Sequence, residues 1–200
     1  MSRLKAVLFD ADGVVINKKH LFSEVYVKEF GIPMATLLDF FDGEFQSCLT
    51  GQADLKELLT PARLKQWQWS GSADELLAYW FKSEHGINDK IVAHIQELRA
   101  KGIICALATN NEKHRTGYIT NEMGLGHIFD TVYSSSGLTY KKPDPKFYQA
   151  ILADLGGLSA NEVLFWDDDP ENIRSAKQIG MPAEVYTSFP LYKQRMNTLL

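Results

Sequence analysis

Two cysteines in 200 residues, Cys48 and Cys105, are too few and too far apart for a disulfide framework or a zinc site. They read as reduced thiols in or near the core. No apolar run reaches about 18 residues, which excludes an obvious membrane-spanning helix. Lys and Arg are not gathered into a basic stripe, and the formal charge of −4 argues against a nucleic-acid partner. Repeats and low-complexity linkers are also absent. The opening Met-Ser-Arg-Leu-Lys enters an apolar segment with no leader-like charged and hydrophobic regions. These absences predict a cytoplasmic enzyme or binding protein, with neither membrane nor nucleic acid as partner.

What is present divides by period. Leu4 to Phe9 is an apolar run suited to a strand buried on both faces of a parallel sheet. Residues 18–86 then read as helical throughout, with Leu21, Phe22, Val25, Tyr26 and Phe30 at helix spacing before Gly31. A second helix opens at Ser72, with Glu75 completing a capping box. From Asn88 or Asp89 onward helices and strands alternate, with strands at Ile103 to Ala108, Thr131 to Ser134, Val163 to Trp166 and Ala183 to Thr187. The intervening helices are expected near Glu112 to Met123, Pro145 to Leu155 and Pro170 to Ile179. That alternation predicts an α/β fold, a doubly wound parallel sheet with right-handed crossovers. The core is expected over 1–17 and 87–200, and residues 18–86 form a helical domain inserted after the first strand.

Ligands of such sheets collect beyond the carboxyl ends of the strands, and here those ends are polar. The first strand runs into Asp10-Ala11-Asp12-Gly13, which reads either as a simple polar turn or as two acids aimed at a ligand. The second ends in Thr109-Asn110-Asn111, offering a hydroxyl, backbone N–H groups and an amide to an oxyanion. After the third comes Lys141-Lys142-Pro143-Asp144-Pro145, where Pro143 extends Lys142 and Asp144-Pro145 starts a helix. The fourth ends in Asp167-Asp168-Asp169-Pro170. Asp169 is accounted for as a helix N-cap, whereas adjacent like charges at Asp167 and Asp168 call for a cation. With Asp10 and Asp12 they would make a hard-oxygen cluster suited to Mg²⁺.

Asp10-x-Asp12-Gly13, Thr109, Lys142-Pro143 and Asp167-Asp168 occur in an order that strongly resembles the haloacid dehalogenase superfamily. The resemblance spans roughly residues 4 to 187. Through Phe165-Trp166-Asp167-Asp168 and Asn172 the chain looks most like the short-capped group, which includes bacterial glucose-1-phosphate phosphatases and the phosphatase domain of soluble epoxide hydrolase. It implies strand order 5-4-1-2-3 and a small helical cap that closes over the site. It further implies hydrolysis of small phosphorylated metabolites, such as sugar phosphates, through an aspartyl phosphate. Asp10 would be the nucleophile and Asp12 the acid/base; Thr109 and the Asn110 amide would bind phosphoryl oxygens, and Lys142 would neutralise phosphate and nucleophile. Mg²⁺ would be held by Asp10, the backbone carbonyl of Asp12 and Asp168, with Asp167 in support. Many superfamily members have a further Asp where this chain has Asn172, which puts metal affinity in question. An acid at position 12 favours phosphate chemistry over dehalogenation.

Other readings remain. A phosphomutase would share the core but need a bisphosphate activator. Receiver-type signalling domains gather similar groups, but in a chain order that differs from this one, and a silent binding module would be expected to have lost a catalytic position. The aromatics Phe40, Phe41, Phe45, Trp67, Trp69, Trp80 and Phe81 read as the insertion's own core, with one or two able to face substrate. No role is given to His20, His85, His94, His114 or His127, which are expected at the surface or behind the site. Phe189 to Leu200 reads as either a docked or a frayed tail.

Overall fold

In the computed structural model, which describes residues 4–17 and 20–200, five parallel strands form one sheet in the order β3-β2-β1-β4-β5. The strands are β1 (Ala6–Phe9), β2 (Ile104–Thr109), β3 (Thr131–Ser134), β4 (Val163–Asp167) and β5 (Ala183–Val185). This is the order 5-4-1-2-3 that the family resemblance implies. All four residues of β1 are buried because the strand lies in the middle of the sheet, covered on both faces.

Alternate residues of β1 feed different cores, as the two-residue period of a strand requires. Val7 and Phe9 pack with Ile91, Ile95 and Leu98 of α7 (Asp89–Ala100), while Ala6 and Leu8 pack with Phe147, Tyr148 and Ile151 of α11 (Pro145–Asp154). Each large side chain buried this way contributes about 1.5–3 kcal/mol. The remaining core helices are α8 (Lys113–Asn121), α9 (Leu125–Ile128), α10 (Ser135–Leu138), α12 (Pro170–Gln178) and α13 (Phe189–Leu199). The last of these settles the tail: it is docked, with Tyr192 and Met196 in the core.

Between β1 and α7 lies the helical insertion, comprising α1 (Phe22–Phe30), α2 (Met34–Asp42), α3 (Phe45–Cys48), α4 (Leu55–Leu58), α5 (Pro61–Gln66) and α6 (Ala73–Ser83). Lys18 and Lys19, at the start of the segment expected to be inserted, lie outside the described residues. The chain leaves and re-enters the core through an antiparallel bridge between Ile16 and Ile87, backed by Asn17 N–H donating to the Gly86 carbonyl at 2.9 Å. A Cβ at Gly86 would sit 2.5 Å from the Asn17 oxygen, so the narrow neck admits only glycine there. The insertion encloses its own core, in which Phe22, Tyr26, Phe40, Trp67, Leu76 and Trp80 are buried.

Local signals explain the helix starts. Ser72 and Glu75 make the capping box of α6, and Asp144 and Asp169 cap α11 and α12, each ahead of a proline in the first turn. Both cysteines are buried and free. His94 departs from the surface or peripheral placement expected of the histidines: it lies inside α7, where its Nδ1 is 2.7 Å from the Tyr192 hydroxyl.

Candidate functional site

Parallel register brings the strand ends level. Phe9 pairs with Leu107 on one side and Trp166 on the other, so Asp10 emerges beside Asp167 and one position below Thr109. Asp10 is held there by its N–H donating to the Trp166 carbonyl at 2.8 Å. The chain then turns sharply: Ala11 carbonyl accepts from Val15 and Ile16, and Gly13 adopts φ +89°. A Cβ on Gly13 would lie 2.1 Å from Asp168 Oδ2, so this glycine leaves room for the Asp168 carboxylate as well as supplying the turn.

Lys142 is positioned by Asn110. Its N–H donates to Asn110 Oδ1 at 2.8 Å, and its carbonyl accepts from Asn110 Nδ2 at 2.9 Å. The Lys142-Pro143 peptide bond is cis. From this anchorage the buried ammonium reaches Asp10 Oδ1 at 2.6 Å and Asp167 Oδ2 at 2.7 Å. Burial disfavours its charge, yet the two carboxylates hold its pKa above the ordinary lysine value.

Asp167 is wholly buried, and each of its oxygens is engaged. Asn172 Nδ2 donates to both at 3.1 Å, Asp169 N–H adds a bond to Oδ1 at 2.8 Å, and Lys142 takes Oδ2. Asn172 therefore works here as an amide that fixes Asp167. Its own backbone carbonyl accepts from the Tyr148 hydroxyl at 2.9 Å. Thr109, the last residue of β2, is buried, and its hydroxyl accepts from Asn111 Nδ2 at 2.6 Å.

The residues given a catalytic, binding or metal role in the sequence line one cavity of about 360 Å³, namely Asp10, Asp12, Thr109, Asn110, Lys142, Asp167 and Asp168, joined by Asp169 and Asn172. None of the insertion's aromatic residues lines it. Oxygens of Asp10, Asp167 and Asp168 lie within 4.8 Å of one another, close enough to ligate one cation. The trio contains Asp10 and Asp168 of the expected metal set and brings Asp167, expected in support, equally close. Burial, then the nearby Asp167 charge, pushes the Asp10 carboxyl above the usual carboxylate range despite Lys142. Asp168 is likewise raised by burial and by Asp167. Three carboxylates around one ammonium form an all-oxygen donor set with excess negative charge, which fits a hard divalent ion.

Asn111, read from sequence only as part of the Thr109-Asn110-Asn111 strand end, donates to Thr109 at 2.6 Å and to Asp12 at 3.4 Å, and the buried Glu112 and Arg115 that follow it have no site role in the sequence reading. Glu112 is placed by the same strand end, whereas Arg115 takes its partners from a distant part of the chain.

Residues 4–180 match the family model described as hydrolase, haloacid dehalogenase-like hydrolase. The chain belongs to that family. A phosphatase of Mycobacterium tuberculosis is 28% identical over 188 residues, covering 90% of this chain and 86% of its own. Phosphoglycolate phosphatase of Rhodospirillum rubrum is 25% identical over 196 residues, 90% of this chain and 78% of its own. Among solved structures, a haloacid dehalogenase family enzyme of Bacteroides thetaiotaomicron superposes with a TM-score of 0.80 at 20% identity, over 94% of this chain and 96% of that one. The same protein has been solved with magnesium and inorganic phosphate, at a TM-score of 0.78 with 20% identity over 93% and 96% of the two chains. This haloacid dehalogenase-like hydrolase is a phosphatase in class. No helix among its described residues is long and apolar enough to cross a membrane.

Proposed function

We propose that this enzyme hydrolyses small phosphate monoesters, such as sugar phosphates, in a Mg²⁺-dependent reaction through an aspartyl phosphate on Asp10. The observation that supports this most is the buried Lys142 ammonium bonded to Asp10 at 2.6 Å and Asp167 at 2.7 Å on the sheet's carboxyl edge. An Asp carboxylate approaching a phosphate dianion is repelled unless positive charge is held beside both. Lys142 occupies one oxygen of Asp10, leaving the other to attack phosphorus in line.

As the new Asp10–phosphorus bond forms, the bond from phosphorus to the leaving oxygen breaks and Asp12 supplies that oxygen with a proton. Asp12, now ionised, takes a proton from the water that attacks phosphorus and releases Asp10. The Thr109 hydroxyl and the Asn110 backbone amide bind phosphoryl oxygens, and Asn110 also fixes Lys142 through their reciprocal hydrogen bonds. Asp10, Asp168 and the Asp12 carbonyl, with Asp167 in support, would hold Mg²⁺, which when bound supplies charge neutralisation and orientation of the phosphoryl group. Asn172 keeps Asp167 from rotating. The insertion acts as a cap over this edge. The magnesium and phosphate complex of the Bacteroides thetaiotaomicron protein supports the choice of ion and ligand.

The test is phosphate release by the purified protein from p-nitrophenyl phosphate, followed by a panel of phosphorylated metabolites. Release should require Mg²⁺, stop in excess chelator and return on adding the ion, with acid-quenched samples carrying phosphate on Asp10 by mass spectrometry. Unaltered rates in chelator would remove the metal, and dependence on a bisphosphate activator would mark a mutase.

A further inference from the structure

One buried cation has no part in the chemistry above. Arg115, in the first turn of α8, is 4% exposed. Glu112, itself buried, caps that turn by accepting from the N–H groups of His114 at 2.8 Å and Arg115 at 2.5 Å, which fixes the direction in which Arg115 leaves the helix. The guanidinium lies 5.4 Å from the Phe81 ring centroid and 5.6 Å from that of Tyr118, and Nη1 donates to the Phe81 carbonyl at 3.1 Å. Phe81 belongs to α6, so a side chain of the core grips the insertion's last helix.

The other terminal nitrogen is unusual. Nη2 is buried and makes no hydrogen bond among the described residues. Its nearest carboxylate oxygens are Asp12 Oδ1 at 3.9 Å and Glu84 Oε2 at 3.7 Å. Glu84 follows α6, and its Oε1 accepts from the N–H of Phe22, the first residue of α1, at 2.9 Å. Arg115 therefore sits where both ends of the insertion meet the turn that bears Asp12. A buried charged donor without an acceptor is unfavourable, and a movement of less than about 1 Å would bring either carboxylate within range. Nη2 has two N–H groups, enough for both.

We propose that Arg115 is a positioning residue that makes the orientation of Asp12 depend on the seating of the helical insertion. When the insertion settles, Glu84 and Asp12 close onto Nη2 together, and Asp12 is aimed at the leaving oxygen only in that arrangement. This rests on the reading of Asp12 as acid/base.

Leaving-group dependence separates positioning from stability. A p-nitrophenolate leaves without a proton, whereas an alkoxide requires one. In kcat/KM, which reports transfer to Asp10 and not the later hydrolysis in which Asp12 is base for every substrate, Arg115→Met should lose roughly tenfold to a hundredfold on an alkyl phosphate, a share of the roughly 10²–10⁴-fold from proton transfer, with under about threefold loss on p-nitrophenyl phosphate. Added to Asp12→Asn, it should cause little further loss on either substrate. Equal losses on both substrates, or none, would overturn the proposal, provided Asp12→Asn itself is selective for the alkyl phosphate. If Asp12→Asn shows no such selectivity, the acid/base reading fails first and takes the proposal with it. Thermal denaturation checks that the variants fold. Should Arg115→Met not fold, Arg115→Lys serves, because an ammonium on a shorter stem cannot hold Phe81 and both carboxylates at once. It should give the same selective loss, and an unselective one would overturn the proposal.

Discussion

The sheet's carboxyl edge and the helical insertion both bury side chains, but of opposite kinds. At the edge Asp10, Thr109, Lys142 and Asp167 are buried polar groups, each held by named partners. In the insertion Phe22, Tyr26, Phe40 and Trp67 are buried apolar groups whose rings pack on one another, as in the 5.1 Å edge contact between Phe40 and Trp67. Burying charge is costly unless it is matched, so the edge trades stability for chemistry. Burying rings is favourable outright, and the insertion gains a fold of its own from them.

The largest expected effect lies at the edge. Asp10→Asn keeps the shape and removes the nucleophile, so kcat for p-nitrophenyl phosphate should fall by about four orders of magnitude or more. Circular dichroism should be unchanged. Residual activity within tenfold of the parent enzyme, roughly 1.4 kcal/mol of barrier, would end the nucleophile assignment.

The two regions also differ in how far their sequences can be read. Strand ends are legible because a parallel sheet places consecutive ends on one edge, so Asp10, Thr109 and Asp167 could be brought together from order alone. N-caps were equally visible at Ser72, Asp144 and Asp169, where side-chain type and a following proline or glutamate set the conformation. The division of labour inside the acid cluster was not. That Asn172 engages both oxygens of Asp167 depends on how α12 is set against β4, a tertiary fact with no local signature. Arg115 escaped for the same reason, since its meaning comes from Phe81 and Glu84, some thirty residues earlier in the chain. In the insertion the helical period marked residues as apolar, but without a sheet register it could not rank which rings are innermost.

Trp67→Ala tests the insertion's side of the comparison. The ring is fully buried against Phe40 and Tyr26, so truncation should cost about 3–5 kcal/mol by urea denaturation. Since no ring of the insertion lines the acid cavity, the folded variant should retain turnover of p-nitrophenyl phosphate far better than Asp10→Asn. A loss of turnover as large as that of Asp10→Asn, in protein shown to be folded, would mean that the insertion shapes the chemistry directly.

A smaller effect comes from His94, in α7 and outside the acid cavity. Burial, then the neighbouring Lys193 charge, pulls its pKa down to about 4. The unfolded chain would titrate it near 6.5, binding the proton that the fold rejects. Its contribution is therefore complete above about pH 6.5 and is lost as pH falls toward 4, by about 3 kcal/mol at most. Denaturation midpoints at pH 7.5 and pH 5 should differ less in His94→Gln than in the parent protein. An identical pH dependence would show that His94 is not held neutral by the fold.

The smallest effects give the sharpest contrast, because two N-caps do the same local job in the two regions. Ser72 accepts from Glu75 N–H at 3.2 Å at the start of α6, and Asp169 accepts from Glu171 N–H at 2.8 Å at the start of α12. Replacing either with alanine should cost about 1 kcal/mol of stability. Their catalytic consequences should part. The first turn of α12 carries Asn172, whose amide orients Asp167, and Asp167 in turn shares Lys142 with Asp10. Fraying there loosens the edge, so Asp169→Ala should lower kcat measurably while Ser72→Ala leaves it unaltered. Matched losses of stability with matched losses of kcat would show that the insertion's helices and the edge act on turnover alike, and the division between a chemical region and a packing region would not hold.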